Sequence, residues 1–144
     1  MKNYLSCILV LIILSYSSCQ EDDSITSTDV SKTVLEGQWV ISYFMDSEQD
    51  KTSDFTGYTF IFKETVATPG SGVVDVTNGA TSLVGTWSAK DDDSSIKLVL
   101  NFSISPFDEL SEDWKVTEST STKITMQHES GGNGDIDYLT LGRE

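Results

Sequence analysis

The sequence predicts an all-β domain, an eight-stranded antiparallel up-and-down barrel, with a two-sheet β-sandwich as the alternative architecture. Three observations carry this expectation. From Val34 onward, short runs rich in β-branched and aromatic residues are separated by clusters of Gly, Asp, Asn and Ser. Within the runs, apolar side chains recur at every second residue, the period of a half-buried strand. No long amphipathic helical pattern interrupts them. Closing such a meander on itself removes the sheet edges that would otherwise invite aggregation. Periodicity fixes faces and not closure, so the sandwich stays open as the second solution.

The strands are read in order. The first, 38–44, places Trp39, Ile41 and Tyr43 on one face. The second, 58–63, sets Tyr58, Phe60 and Phe62 against Thr59, Ile61 and Lys63. A third, shorter run spans 73–77, and the fourth, 83–89, presents Leu83, Gly85 and Trp87 together. Asp91-Asp92-Asp93-Ser94 turns the chain into the fifth strand, 96–102, whose inward set is Ile96, Leu98, Leu100 and Phe102. The stretch 106–113 is polar, with Phe107 and Leu110 to bury, and reads as a loop or one helical turn. Runs at 114–119, 123–128 and 136–141 complete the set, the last two joined through Gly131-Gly132-Asn133-Gly134.

The N-terminal part has a different character. Lys2 precedes an unbroken apolar run, 8–14, followed by the small residues Ser17 and Ser18 before Cys19. The run is far shorter than the ~20 residues needed to span a bilayer and reads as a signal peptide. Ser15-Tyr16-Ser17-Ser18-Cys19 resembles a bacterial lipobox, which implies acylation of Cys19 and a membrane anchor there. The expected organisation is a signal peptide at 1–18, a flexible acidic tether at 19–33, and a barrel domain at 34–144. Glu21, Asp22 and Asp23 after the anchor resemble an export tag, so an outer-membrane lipoprotein exposed at the cell surface is expected.

Charge excludes some partners. Of nine basic residues Lys2 alone precedes Cys19, so cleavage leaves 8 basic and 23 acidic side chains, a balance of 8 − 23 = −15. Such a body repels phosphate backbones and anionic headgroups, so no nucleic acid is expected and the lipid does the anchoring. A monomer is the expectation. With Cys7 removed and Cys19 acylated, no thiol is left for disulfides, nucleophilic attack or metal ligation.

Gly37-Gln38-Trp39, directly after the tether, is similar to the Gly-x-Trp motif that opens lipocalins and related calycin barrels. The aromatic second strand, Gly85-Thr86-Trp87 in mid-chain and Arg143 past the last strand extend the likeness. The arrangement from Leu35 to Arg143 resembles the lipocalin-like lipoproteins of bacteria. The resemblance implies that Trp39 plugs the closed end of the barrel and that Arg143 packs over its ring, a contact of about 0.5–2 kcal/mol. The Thr-Asp-Tyr motif and C-terminal helix of larger members are not recognisable, so the fold and the plug carry over and a ligand identity does not.

The inward aromatics Tyr43, Tyr58, Phe60, Phe62, Trp87 and Trp114 have two readings. They line a cavity for a small hydrophobic ligand at the open end, between loops 46–56 and 65–72, or they fill the barrel. A domain this small needs most of its large residues for stability, each contributing about 1.5–3 kcal/mol when buried. Against that, the lipocalin resemblance implies a ligand cavity, and the expected function is a binding module for a small hydrophobic ligand, with a filled-barrel interaction or inhibitor module as the alternative.

No enzyme is expected, and no cofactor or metal. His128 is the single histidine, and a triad would have to pair it with Asp135 or Asp137 without any Gly-x-Ser-x-Gly elbow. One imidazole without thiols is a poor zinc set. The runs Asp91-Asp92-Asp93 and Asp108, Glu109, Glu112, Asp113 offer carboxylates, but calcium wants about 6–8 oxygens in one shell. Gly131-Gly132-Asn133-Gly134-Asp135 occurs once, whereas calcium-binding repeats of that kind need stacked copies, so it reads as a turn.

Overall fold

The computed structural model describes residues 24–144. The signal segment, Cys19 with its lipobox, and the acidic run at 20–23 lie outside the described residues.

Among the described residues there are nine strands, all paired antiparallel in the spatial order β2-β1-β3-β4-β5-β6-β7-β8-β9: β1 (Gln38–Asp46), β2 (Gln49–Asp50), β3 (Thr59–Thr65), β4 (Thr68–Thr77), β5 (Ser82–Asp92), β6 (Ser95–Asn101), β7 (Asp113–Ser119), β8 (Lys123–Ser130) and β9 (Asp135–Arg143). The eight long strands fall on the eight runs read from the sequence. β9 pairs with β1 from Trp39↔Arg143 to Met45↔Tyr138, and this closes the meander into an up-and-down barrel. The two-sheet sandwich is thereby set aside. β2 is a two-residue addition on β1, through Met45↔Asp50 and Asp46↔Gln49.

The alternation puts Phe60 and Phe62 of β3, Val74 and Val76 of β4, Leu98 and Leu100 of β6, Ile124 and Met126 of β8, and Leu139 and Leu141 of β9 in one continuous core. On β5, Gly85 faces inward beside Trp87. A Cβ there would lie 2.3 Å from the Phe102 ring, so the glycine makes room for that ring.

On β1 the alternation breaks. The register shifts between Ile41 and Tyr43, a bulge at Ser42 that inserts one residue against β9. Trp39, Ile41 and then Phe44 point inward, and Tyr43 turns out to solvent with 37% of its surface exposed. Tyr43 is therefore not an interior residue, contrary to the strict period-two reading of this strand.

A second departure lies in the segment read as tether. Ser27–Leu35 forms a helix, α1. Thr26 caps it: its hydroxyl accepts the Asp29 N–H, and the Asp29 carboxylate accepts the Thr26 N–H, both at 3.1 Å. Val30 and Val34, four residues apart on one face, are fully buried against the barrel, worth about 1.5–3 kcal/mol each. The Trp39 indole N–H donates to the Val34 carbonyl at 2.9 Å, and Ser27 Oγ donates to Asp91 at 2.8 Å. α1 is thus a plug across the end that carries the β3–β4 and β5–β6 turns.

Candidate functional site

The opposite end carries the longer connections, between β1 and β3 and between β6 and β7. The two loops expected to frame a mouth, 46–56 and 65–72, lead into and out of the same strand, so they sit at opposite ends of the barrel. Most of the second is not a loop, since β4 begins at Thr68.

Two short 3-10 turns, Thr52–Phe55 and Phe107–Leu110, cross this end and lower Phe55, Phe107 and Leu110 into the core. Phe107 meets Phe55 at 5.6 Å between ring centroids, Tyr58 at 4.9 Å, Phe60 at 6.2 Å and Phe102 at 6.0 Å. Phe44 meets Phe55 at 5.5 Å and Trp114 at 6.2 Å. Most of these pairs are edge-to-face, the arrangement the ring quadrupole favours. Deeper in, Phe62 packs against Trp87 at 5.8 Å, and the Trp87 indole donates to the Lys63 carbonyl. The Trp114 indole donates to the Leu110 carbonyl at 2.9 Å, holding the second turn down.

Of the residues read as lining, Phe60, Phe62, Trp87 and Trp114 are buried, Tyr58 is half-buried against Phe107, and Tyr43 is outside. Rings carried by β1, β3, β7 and both turns touch one another across the space a ligand would occupy.

A charged clasp lies over this packing. Lys51 Nζ stands 2.5 Å from Asp46 Oδ2 and 3.1 Å from Glu109 Oε1, joining the two loops. The hydrogen bond from Lys51 holds the Asp46 carboxyl below its usual value, and Asp46, then Glu109, raise the Lys51 ammonium. The backbone helps, as Phe44 N–H donates to Thr52 Oγ1 and Lys51 N–H to the Phe44 carbonyl, each at 2.9 Å.

At the Trp39 end, Arg143 is in register with Trp39 on the neighbouring strand. Its guanidinium donates to the carbonyls of Glu36 and Ser121 and lies across Gly37, where a Cβ would stand 2.7 Å from Nε. The Gly of the Gly-x-Trp motif is thus the residue that lets this arginine tie the α1–β1 junction to the β7–β8 turn.

His128 does not use the partners its sequence position suggests. Asp137 is its cross-strand neighbour, but the Asp137 carboxylate accepts the Ser47 N–H at 2.8 Å. Nε2 of His128 instead lies 3.3 Å from Glu112 and Nδ1 lies 3.2 Å from Asp113, which also faces Lys97 at 3.6 Å. Glu112, Asp113 and His128 place one donor atom each within 4.8 Å of one another. The two carboxylates, however, address different ring nitrogens, whereas a divalent ion bonds one nitrogen at about 2.0–2.1 Å. With Lys97 beside Asp113, these side chains form a polar cluster across β6, β7 and β8. In the other acidic runs, Asp91 accepts from Ser27 and Glu109 faces Lys51.

Neither a protein-family model nor a curated protein matches the sequence. Among solved structures, the chain is similar to an NMR structure of a protein from Burkholderia xenovorans, at 12% identity and a TM-score of 0.43, covering 100% of this chain and 99% of that one.

Proposed function

We propose that this chain is a lipocalin-like envelope lipoprotein whose barrel is filled and works through its outer surface, as an interaction or inhibitory module. The observation that supports it is the ring-on-ring packing of Phe44, Phe55, Phe60, Phe102, Phe107 and Trp114 through the end where a ligand would enter. An eight-stranded barrel is just wide enough for its own side chains to fill. In this reading acylated Cys19 supplies the membrane attachment, at the outer membrane and facing outward. The charge of −15 left after cleavage before Cys19 keeps the protein monomeric and away from nucleic acid. The reading assigns no catalytic step and no cofactor.

The ligand-binding reading has one support of its own. Phe55 and Phe107 ride on short 3-10 turns in loops, and such elements open at lower cost than strands. Titrating the domain with an apolar fluorescent probe such as N-phenyl-1-naphthylamine separates the two. The filled barrel gives no saturable change in tryptophan emission. One-site saturable quenching overturns it in favour of a ligand that displaces Phe107. For the anchor, Cys19→Ala should release the protein from the membrane fraction, and unchanged retention would refute the acylation.

A further inference from the structure

The outer wall formed by β1 and β9 carries both aromatic rings, Tyr43 and Tyr138, found among the exposed large apolar side chains of the described residues. Tyr43 and Met45 stand beside Thr140 and Tyr138 in register, and Ile136 continues the row on β9. Tyr43, Ile136 and Tyr138 are 37%, 42% and 39% exposed, so three large apolar side chains face water on two adjoining strands. Beside them is a hollow of about 450 Å3 lined by Met45, Glu48, Gly134, Asp135, Ile136 and Tyr138. Glu48 stands on the turn after β1 in a left-handed conformation, φ 68°, and Glu129 faces Ile136 across the β8–β9 ladder. No lysine or arginine lines the hollow. Glu48 and Glu129 have no ion-pair partner among the described residues.

We propose that this wall is a docking surface for a basic segment of a protein partner, with an arginine or lysine side chain seated in the hollow. The inference rests on the reading that the barrel works through its exterior. An aromatic face attracts a cation, carboxylates pair with it, and an apolar floor receives its methylene stem. These three needs are met together here by Tyr138 and Tyr43, by Glu48, and by Met45 and Ile136. Charge selects among occupants. A second cleaved copy of this chain brings another −15, and an anionic membrane surface or a nucleic acid is repelled for the same reason. A basic protein segment is the complement that the surface attracts.

The test places the photo-crosslinking residue p-benzoylphenylalanine at Tyr43 or Tyr138 in the full chain, expressed in its own cells. Val84, 62% exposed on β5, serves as the control, since β5 lies four strands from β9 in either direction around the barrel. The expected result is a discrete adduct from positions 43 and 138 and none from 84. The crosslinked segment should carry Lys or Arg when mapped by mass spectrometry. Glu48→Lys should cut the adduct yield by about tenfold with an unchanged circular-dichroism spectrum. An adduct from 84 alone overturns the assignment of the surface and leaves the interaction reading standing. Adducts to a neutral or acidic segment, to lipid, or to another copy of this chain overturn the proposed partner. No adduct from any position, together with saturable probe binding, overturns the interaction reading itself.

Discussion

Truncating Phe107 to Ala tests whether the barrel is held shut by its aromatic packing. Phe107 is 2% exposed and touches four rings, those of Phe55, Tyr58, Phe60 and Phe102. Removing a buried Phe costs about 3–5 kcal/mol, the transfer of the ring plus the void it leaves. The edge-to-face contacts with Phe55 and Tyr58 contribute about 0.5–1.5 kcal/mol each beyond buried area. Because Phe107 hangs from a 3-10 turn that can settle inward, the loss should fall near the low end, about 3 kcal/mol. With a urea slope of about 1–3 kcal/mol/M for a small domain, the midpoint should fall by at least about 1 M at unchanged slope. Tryptophan fluorescence across a urea series reads this directly. The void should also admit a small aromatic such as benzene, raising the variant's midpoint and leaving the parent's unchanged. A loss under about 1 kcal/mol, with no benzene effect, refutes the packed interior and removes the main support for the filled-barrel reading.

Other perturbations address the remaining parts. Trp39→Phe removes the donor to the Val34 carbonyl and leaves a buried acceptor unpaired, at about 1–3 kcal/mol. Amide exchange at Val30 and Val34 should quicken more than at Leu139, and uniform exchange would disprove the docking role of the indole. Gly85→Val drives a side chain into the Phe102 ring, and overpacking of this kind costs about 1–3 kcal/mol. A lower melting temperature is expected, and an unchanged one would contradict the contact. For pH, the depressed Asp46 contributes stability that is present above its unfolded value and lost as pH falls through the lower folded value, below about 4. The raised Lys51 contributes stability that is present below its unfolded value and lost as pH rises through the higher folded one, above about 10.4. Amide protection in Thr52–Phe55, the exchange rate relative to the unfolded chain at the same pH, should therefore fall at both extremes, and Lys51→Met should flatten that response.

The strands were legible because each is long enough for a period of two to repeat. β3 and β6 read cleanly, with Phe60, Phe62, Leu98 and Leu100 inside as their spacing implies. The bulge on β1 was not legible: one extra residue at Ser42 exchanges the places of Tyr43 and Phe44, and nothing in Ile41-Ser42-Tyr43 marks it. α1 is not legible because Val30 and Val34 are its only fully buried apolar residues, set among Ser, Thr, Asp and Lys. Its cap uses Asp29 where Glu or Gln is the usual signal, and its stability comes from docking on Trp39. Phe107 and Leu110 stand out as the apolar residues of their loop, whereas Phe55 is a lone apolar residue behind Thr52-Ser53-Asp54 with no periodic partner to mark it. The partners of His128 are set by where the β6–β7 connection returns, a long-range placement that local spacing does not encode.

The seam around β1 is lopsided. Six residue pairs fasten it to β9, some hundred positions away along the chain, while only Gln38↔Ile61 and Trp39↔Phe60 fasten it to β3 close by. The cylinder's last stitch therefore joins its two most distant strands, and the entropy of bringing them together has to be met before the wall is whole. Where the fabric is thinnest, between β1 and β3, is where it should first gape when warmed, with Phe44 and the turn bearing Phe55 the earliest to meet water.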